Sequence, residues 1–229
     1  MTSISTRLQA VRARIDAAAR AAGRDPAGVS LLAVSKTWPA GDVRAAAAAG
    51  QRAFGENYVQ EGCAKIVELA DLPLEWHFIG PLQSNKTRPV AESFDWVHSV
   101  DRLKIAERLS AQRPDGKAPI NVCLQVNVSG EATKSGCTPA EAPALARAVA
   151  ALPKLRLRGL MCIPEPEDDL AAQRAPFRAL RSLYDDLRRE GLPLDTLSMG
   201  MSHDAEAAIA EGATLVRIGT AIFGEREKA

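Results

Sequence analysis

The chain has 229 residues, with 29 Lys+Arg against 28 Asp+Glu for a formal net charge of +1, 46% hydrophobic residues and 4% aromatics. That length fits one large domain or two small ones, and the apolar content can bury a sizeable core, which excludes intrinsic disorder. Charges of the two signs balance, so no nucleic acid and no membrane surface is expected as a partner, and a small ligand is.

At the start, Ile4, Leu8, Val11, Ile15, Ala18 and Ala22 recur at spacings of three and four, which predicts one long helix ending at Gly23. Arginines interrupt this segment where a signal peptide needs an unbroken apolar stretch, and no apolar run reaches the length of a membrane span. A cytoplasmic protein is expected. Cys63, Cys123, Cys137 and Cys162 form no CxxC pair, so reduced thiols are expected and a zinc site is not.

From Ser30 onward, short runs rich in β-branched residues alternate with helical patterns, each change marked by Gly, Pro, Asp or Ser. The predicted strands are 31–36, 53–55, 75–79, 96–99, 120–128, 155–162, 196–199 and 215–218. Helical patterns include 41–49, 59–69, 102–111, 139–152, 177–190 and 204–211, with Pro176 expected in a first turn. Eight strand-helix units require parallel crossovers. They predict an α/β fold, a single (β/α)8 TIM barrel over residues 1–229 with an extra N-terminal helix. An open doubly wound sheet is the alternative.

A barrel carries its active site at the C-terminal ends of its strands. In LLAVSK the period of two puts Leu32, Val34 and Lys36 on one face, so the Lys36 amine either snorkels to solvent or sits partly desolvated at the mouth, where it is a nucleophile toward an aldehyde. After the seventh and eighth strands, Ser198, Gly200, Ser202, Gly219 and Thr220 stand where barrels hold phosphate, and they serve equally as turn and cap residues. Arg217 lies in an apolar strand and needs an acceptor, from an ion pair or from a heteroaromatic ring nitrogen. His77 lies within the third strand, where a hydrogen-bonded core histidine is the ordinary case, and Asn57 follows the second. Gln83, Asn85, Lys86 and Lys134 are rim residues, and His98 and His203 accompany no nucleophile motif.

The stretches AVSKT around Lys36, FGENYVQE from Phe54, WHFIGPLQSNK from Trp76, QVNVSGEATKSG from Gln125, GLM at Gly159, SMGMS from Ser198 and VRIGTAIFGER from Val216 cover nearly the whole chain. Together they resemble the pyridoxal phosphate homeostasis protein family, the YggS/PROSC group, which is related to the N-terminal barrel of alanine racemases. The resemblance implies that Lys36 holds pyridoxal 5'-phosphate (PLP) as a Schiff base, that Ser202, Gly219 and Thr220 bind its phosphate, and that Met199 also belongs to the cofactor site. It further implies that Arg217 faces the pyridine nitrogen, and that Asn57 and His77 lie in a second tier. A permanent cation beside that nitrogen disfavours its protonation and weakens the ring as an electron sink. His203 stands where the family pattern has an acidic residue, which alters the charge beside the phosphate.

Three functions remain on the sequence. A PLP carrier that buffers or delivers the cofactor, with apo PLP-dependent enzymes as acceptors, is the expected one, as a non-catalytic monomer. A racemase needs a second acid or base opposite the lysine, and the two tyrosines, Tyr58 and Tyr184, are expected at the rim and on an outer helix. A barrel for another phosphorylated metabolite has no need of Lys36. A second PLP site at Lys86 or Lys134 stays open.

Overall fold

The structure is a computed structural model that describes residues 3–130 and 135–225, so Lys134 lies outside the described residues. Eight strands, β1 (Ser30–Val34), β2 (Ala53–Glu56), β3 (Glu75–Phe78), β4 (Trp96–Val100), β5 (Ile120–Gln125), β6 (Leu155–Met161), β7 (Thr196–Ser198) and β8 (Leu215–Ile218), pair in chain order. All pairs are parallel, and β8 closes on β1 with Arg217 opposite Leu32. The closed (β/α)8 barrel is the predicted fold.

The helices are α1 (Ile4–Ala21), α2 (Ala40–Ala48), α3 (Val59–Glu68), α4 (Thr87–Ser93), α5 (Leu103–Gln112), α6 (Ala142–Ala150), α7 (Leu170–Arg189), α8 (Ala205–Ala210) and α9 (Thr220–Phe223). Strand residues of one parity, such as Ala33, Phe54, Phe78 and Val97, join the helices in one continuous core. Those of the other parity fill the barrel, where Leu32, Ile79 and Leu215 form one small cluster and Trp96, Cys123 and Met161 another.

The extra helix completes the ring. The helix after β8, α9, has only four residues, and α1 packs against α2, α8 and α9 through buried Leu8, Val11, Ile15 and Ala19. Its flanks bind carbonyls at the C-terminal ends of three neighbouring helices. Arg7 Nε donates to the Ile222 carbonyl at 2.6 Å, Arg12 Nη1 to Ala49 at 3.3 Å, and Arg24 Nη1, just past the helix, to Ile209 at 2.7 Å.

Two of the boundaries that differ from the sequence reading do so for local reasons. The helix predicted from Phe177 begins at Leu170, because the Asp169 side chain accepts from Ala172 N at 2.8 Å and caps it there. Pro176 therefore lies inside α7, not in its first turn. The strand predicted to reach Val128 ends at Gln125, beyond which Val126 makes an isolated bridge to Cys137.

Candidate functional site

A cavity of about 280 Å³ opens at the C-terminal ends of the strands. It brings together Lys36, Asn57, Ser202, Arg217, Gly219 and Thr220 from four segments of the chain. Val34, Trp38, Ile79 and Ile163 supply its apolar wall, while Met201 and His203 complete the side nearest Ser202. Apolar walls with a few convergent polar groups suit a small ligand with a flat ring and a charged end.

Lys36 stands two residues past β1, half-buried, on a turn that the surrounding groups impose. Ser35 N continues the ladder to Gly55 O at 3.0 Å, and Thr37 then takes φ 68°, the one non-glycine positive φ among the described residues. For a β-branched residue this conformation is strained and needs support. The support is a buried cluster behind the turn. Lys65 Nζ on α3 donates to Ser35 O at 2.7 Å, to Glu56 at 2.8 Å and to Glu61 at 2.6 Å. Ser35 Oγ donates to Glu56 at 2.6 Å, and Thr37 N donates to Glu61. Burial pushes the Glu56 carboxyl up although Lys65 and Ser35 bond to it.

Asn57 follows β2 directly. Its Oδ1 is buried without a hydrogen-bond partner, although Asn57 lines the cavity. An unmet buried carbonyl costs about 1–3 kcal/mol, which a polar ligand group would relieve. Gly80 locks this residue in place, since a Cβ there would lie 2.2 Å from Asn57 O.

On the opposite wall, Gly200 (φ 94°) turns the chain after β7 and accepts from Arg217 N at 2.9 Å. Asp204 is buried and, instead of capping α8 with its side chain, accepts from Met201 N. Arg14 of α1 ion-pairs with Glu206 and donates through Nη1 to Ser202 O at 2.7 Å, so the extra helix braces this loop from behind. Thr220 begins α9 beside it, where the first N–H groups have no intrahelical partner.

Arg217 is fully buried, and its acceptors are all on the barrel wall. Nη1 donates to Ser198 O at 2.6 Å and to Ser198 Oγ at 2.8 Å, and Nη2 donates to Cys162 O at 2.8 Å. The Cys162 thiol itself is pushed up to about 12 by burial, so it stays protonated.

His77 and Met199 do not line this cavity. His77 is buried deeper in the barrel, against His98 and Glu75, and Met199 packs in the core shared with the helices. Gln83 and Asn85 are exposed and Lys86 half-buried, all outside the cavity. The sequence reading missed Trp38, Ile163 and the Glu56–Lys65–Glu61 cluster, whose roles depend on chain segments that meet only in the closed barrel.

The family described as alanine racemase, N-terminal domain, matches residues 6–227. A relative from Pseudomonas aeruginosa named pyridoxal phosphate homeostasis protein is 69% identical over 227 residues, covering 99% of this chain and 97% of that protein. The solved structure of PipY from Synechococcus elongatus with PLP bound is similar at a TM-score of 0.84 and 42% identity, covering 97% of this chain and 100% of that one. An alanine racemase from Corynebacterium glutamicum shares the fold at a TM-score of 0.68 and 19% identity, and the match spans 97% of this chain and 62% of that one.

Proposed function

Because the chain belongs to the pyridoxal phosphate homeostasis protein family, built on the alanine racemase N-terminal barrel, we propose that its barrel mouth binds PLP and serves the cell's handling of that cofactor. The observation that carries the proposal is the convergence of Lys36, Asn57, Arg217, Ser202 and Thr220 on one cavity of a size to hold a substituted pyridine and its phosphate.

The residues fit the group. Lys36 would hold the aldehyde through its amine, at a turn that Lys65 supports from behind. Ser202, Gly219 and Thr220, which line the cavity, would bind the phosphate with hydroxyls and backbone N–H groups. Arg217 would face the ring nitrogen, and Asn57 Oδ1, buried without a partner, would gain one. When bound, the cofactor would offer an electron sink for amino-acid chemistry, and the permanent charge of Arg217 would weaken it by disfavouring protonation of the ring nitrogen.

Storage and delivery, not turnover, is the role these groups serve. Neither tyrosine lines the cavity: Tyr58 is 54% exposed on the surface, and Tyr184 is buried on α7 with its hydroxyl donating to Leu194 O at 3.0 Å. No tyrosine thus stands opposite Lys36 to act as the second acid or base of a racemase. The half-exposed lysine also leaves the linkage open to exchange with free amines or acceptor apoenzymes.

The test adds PLP to the wild type and to Lys36→Ala, records the visible spectrum, reduces with borohydride and maps the modified residue. A band fixed onto Lys36, with no substantial racemisation of L-amino acids, is expected. No band, or label spread over surface lysines, overturns PLP binding, and rapid Lys36-dependent racemisation overturns the carrier role.

A further inference from the structure

The inside of this barrel departs from the usual filling of branched aliphatic side chains. A continuous polar chain crosses it from the mouth to the opposite face. Arg217 Nη1 meets Ser198 Oγ at 2.8 Å, Ser198 Oγ meets His98 Nδ1 at 2.8 Å, His98 Nε2 meets His77 Nδ1 at 2.9 Å, and His77 Nε2 meets Glu75 Oε1 at 2.8 Å. The interior residues come from β8, β7, β4 and β3, and Glu75 opens into a second cavity at the N-terminal ends of the strands. Its side chain is about half exposed, at 51%, whereas His77 and His98 are buried.

The two ends dictate where every proton sits. A guanidinium only donates, and an ionised carboxylate only accepts. His77 must therefore carry its proton on Nε2 to meet Glu75, which leaves Nδ1 as an acceptor. His98 must then donate from Nε2, which leaves its Nδ1 to accept from the Ser198 hydroxyl. Ser198, its proton committed to His98, presents only lone pairs to Arg217. The reverse order would set the bare Nε2 of His77 against a carboxylate oxygen at hydrogen-bond distance, lone pair against lone pair.

A doubly protonated imidazole is disfavoured as well. Burial pushes both histidines down, His98 well down with help from the charges of His77 and Arg217, while the bond from His77 holds Glu75 below its ordinary value. Nearby charges are engaged elsewhere. Arg158 bonds Asp195 and Asn121 and lies over the Trp96 ring at 4.7 Å, and Asp95 accepts from Trp76 N.

We infer that Glu75, His77, His98 and Ser198 form a one-way hydrogen-bond relay that presents only lone pairs to Arg217 and so holds the guanidinium in place, which lets a carboxylate at the far end of the barrel support the ring-nitrogen site. The part concerning the ring nitrogen rests on the PLP reading above, while the relay itself does not. Such a chain is costly to bury unless every member is satisfied, and apolar side chains of similar volume would serve stability equally well. It leads to the buried cation that lines the mouth cavity. Glu75, His77 and His98 are positioning residues, since none of them lines that cavity.

Nitrogen-15 spectra of histidine-labelled protein, without added cofactor, read the relay directly. Wild type is expected to show neutral His77 and His98 at pH 7, each protonated on Nε2. Glu75→Gln removes the obligatory acceptor, because an amide can donate or accept, and is expected to populate the Nδ1-protonated forms. With PLP added, the same variant is expected to bind about fivefold more weakly, the low end of ordinary coupling between two sites, and to shift the pH profile of the visible band.

An Nδ1–H form or an imidazolium in the wild type at pH 7 overturns the relay. Altered tautomers in Glu75→Gln with unchanged PLP affinity and unchanged band overturn the link to the mouth. If the wild type binds no PLP, the cofactor reading and that link fail together, and the tautomer spectra still decide the relay.

Discussion

The ammonium of Lys65 lies 2.7 Å from the carbonyl oxygen of Ser35, the residue directly before Lys36. A buried cation on an outer helix thus bonds the peptide directly ahead of Lys36. The same ammonium neutralises Glu56, whose side chain is fully buried. Removing one partner of such a pair strands a charge, whereas removing both does not.

Lys65→Met is therefore expected to cost about 3–5 kcal/mol in a denaturant titration. Lys65→Met combined with Glu56→Leu is expected to recover most of that loss. It should not recover full PLP affinity, because the turn at Thr37 has lost its supports. Full recovery of both would remove the cluster from the site.

Stability is expected to fall as the solution becomes acidic. His77 and His98 are held below the ordinary value of 6.5, mainly by burial. Unfolded imidazoles take up protons near 6.5 while the folded ones do not, so the unfolded state binds more protons below that pH. Each histidine contributes up to about 1.4 kcal/mol per pH unit of lost stability in that window. Urea midpoints between pH 7 and 5 should decline for the wild type and decline less steeply for His98→Asn. Equal slopes would show that His98 titrates normally in the folded chain.

Arg14 joins α1 to the loop at Ser202 through a half-exposed contact. Exposed ion pairs contribute only about 0–1 kcal/mol, so Arg14→Ala should barely move the melting temperature. PLP affinity should still drop about threefold, because the loop that presents Ser202 loses its brace. Calorimetric titration of PLP separates the two effects, and an unchanged affinity would confine Arg14 to packing.

His203 lines the mouth cavity next to Ser202, and it contacts Asp204 at 3.5 Å. Replacing it by His203→Asp adds a negative charge beside the phosphate. Weaker PLP binding by about two- to fivefold, growing at low salt, is the expected result of a screened repulsion at this distance. An effect insensitive to salt would assign the change to shape.

Much of this architecture was legible because a parallel barrel writes itself as repeated strand-helix units, and seven of the eight strand ends fell within two residues of their predicted positions. That Lys36 faces the mouth cavity follows from the parity it shares with Leu32 and Val34. Carried through the other strands, the same parity also turns His98 inward with Trp96 and Ser198 inward with Thr196, which is the information the relay needs. The support behind Lys36 was hidden for a different reason. Nothing local in Ser35 or Thr37 announces that Lys65, thirty residues on, will reach their peptides. Pro176 misled because proline signals a helix start locally, while the cap at Asp169 overrode it.

The bond from Arg7 to Ile222 spans 215 positions of sequence. Much of the seat of α1, on α8 and α9, is therefore made long after α1 itself. Translation at about 5–20 residues per second leaves its apolar stripe waiting for roughly ten to forty seconds. Closing so long a loop adds little to the equilibrium cost, since that cost grows only with the logarithm of length. The delay falls on kinetics: full docking of this helix is a late event of assembly, and until it happens its apolar stripe stays open to chaperones or to other chains.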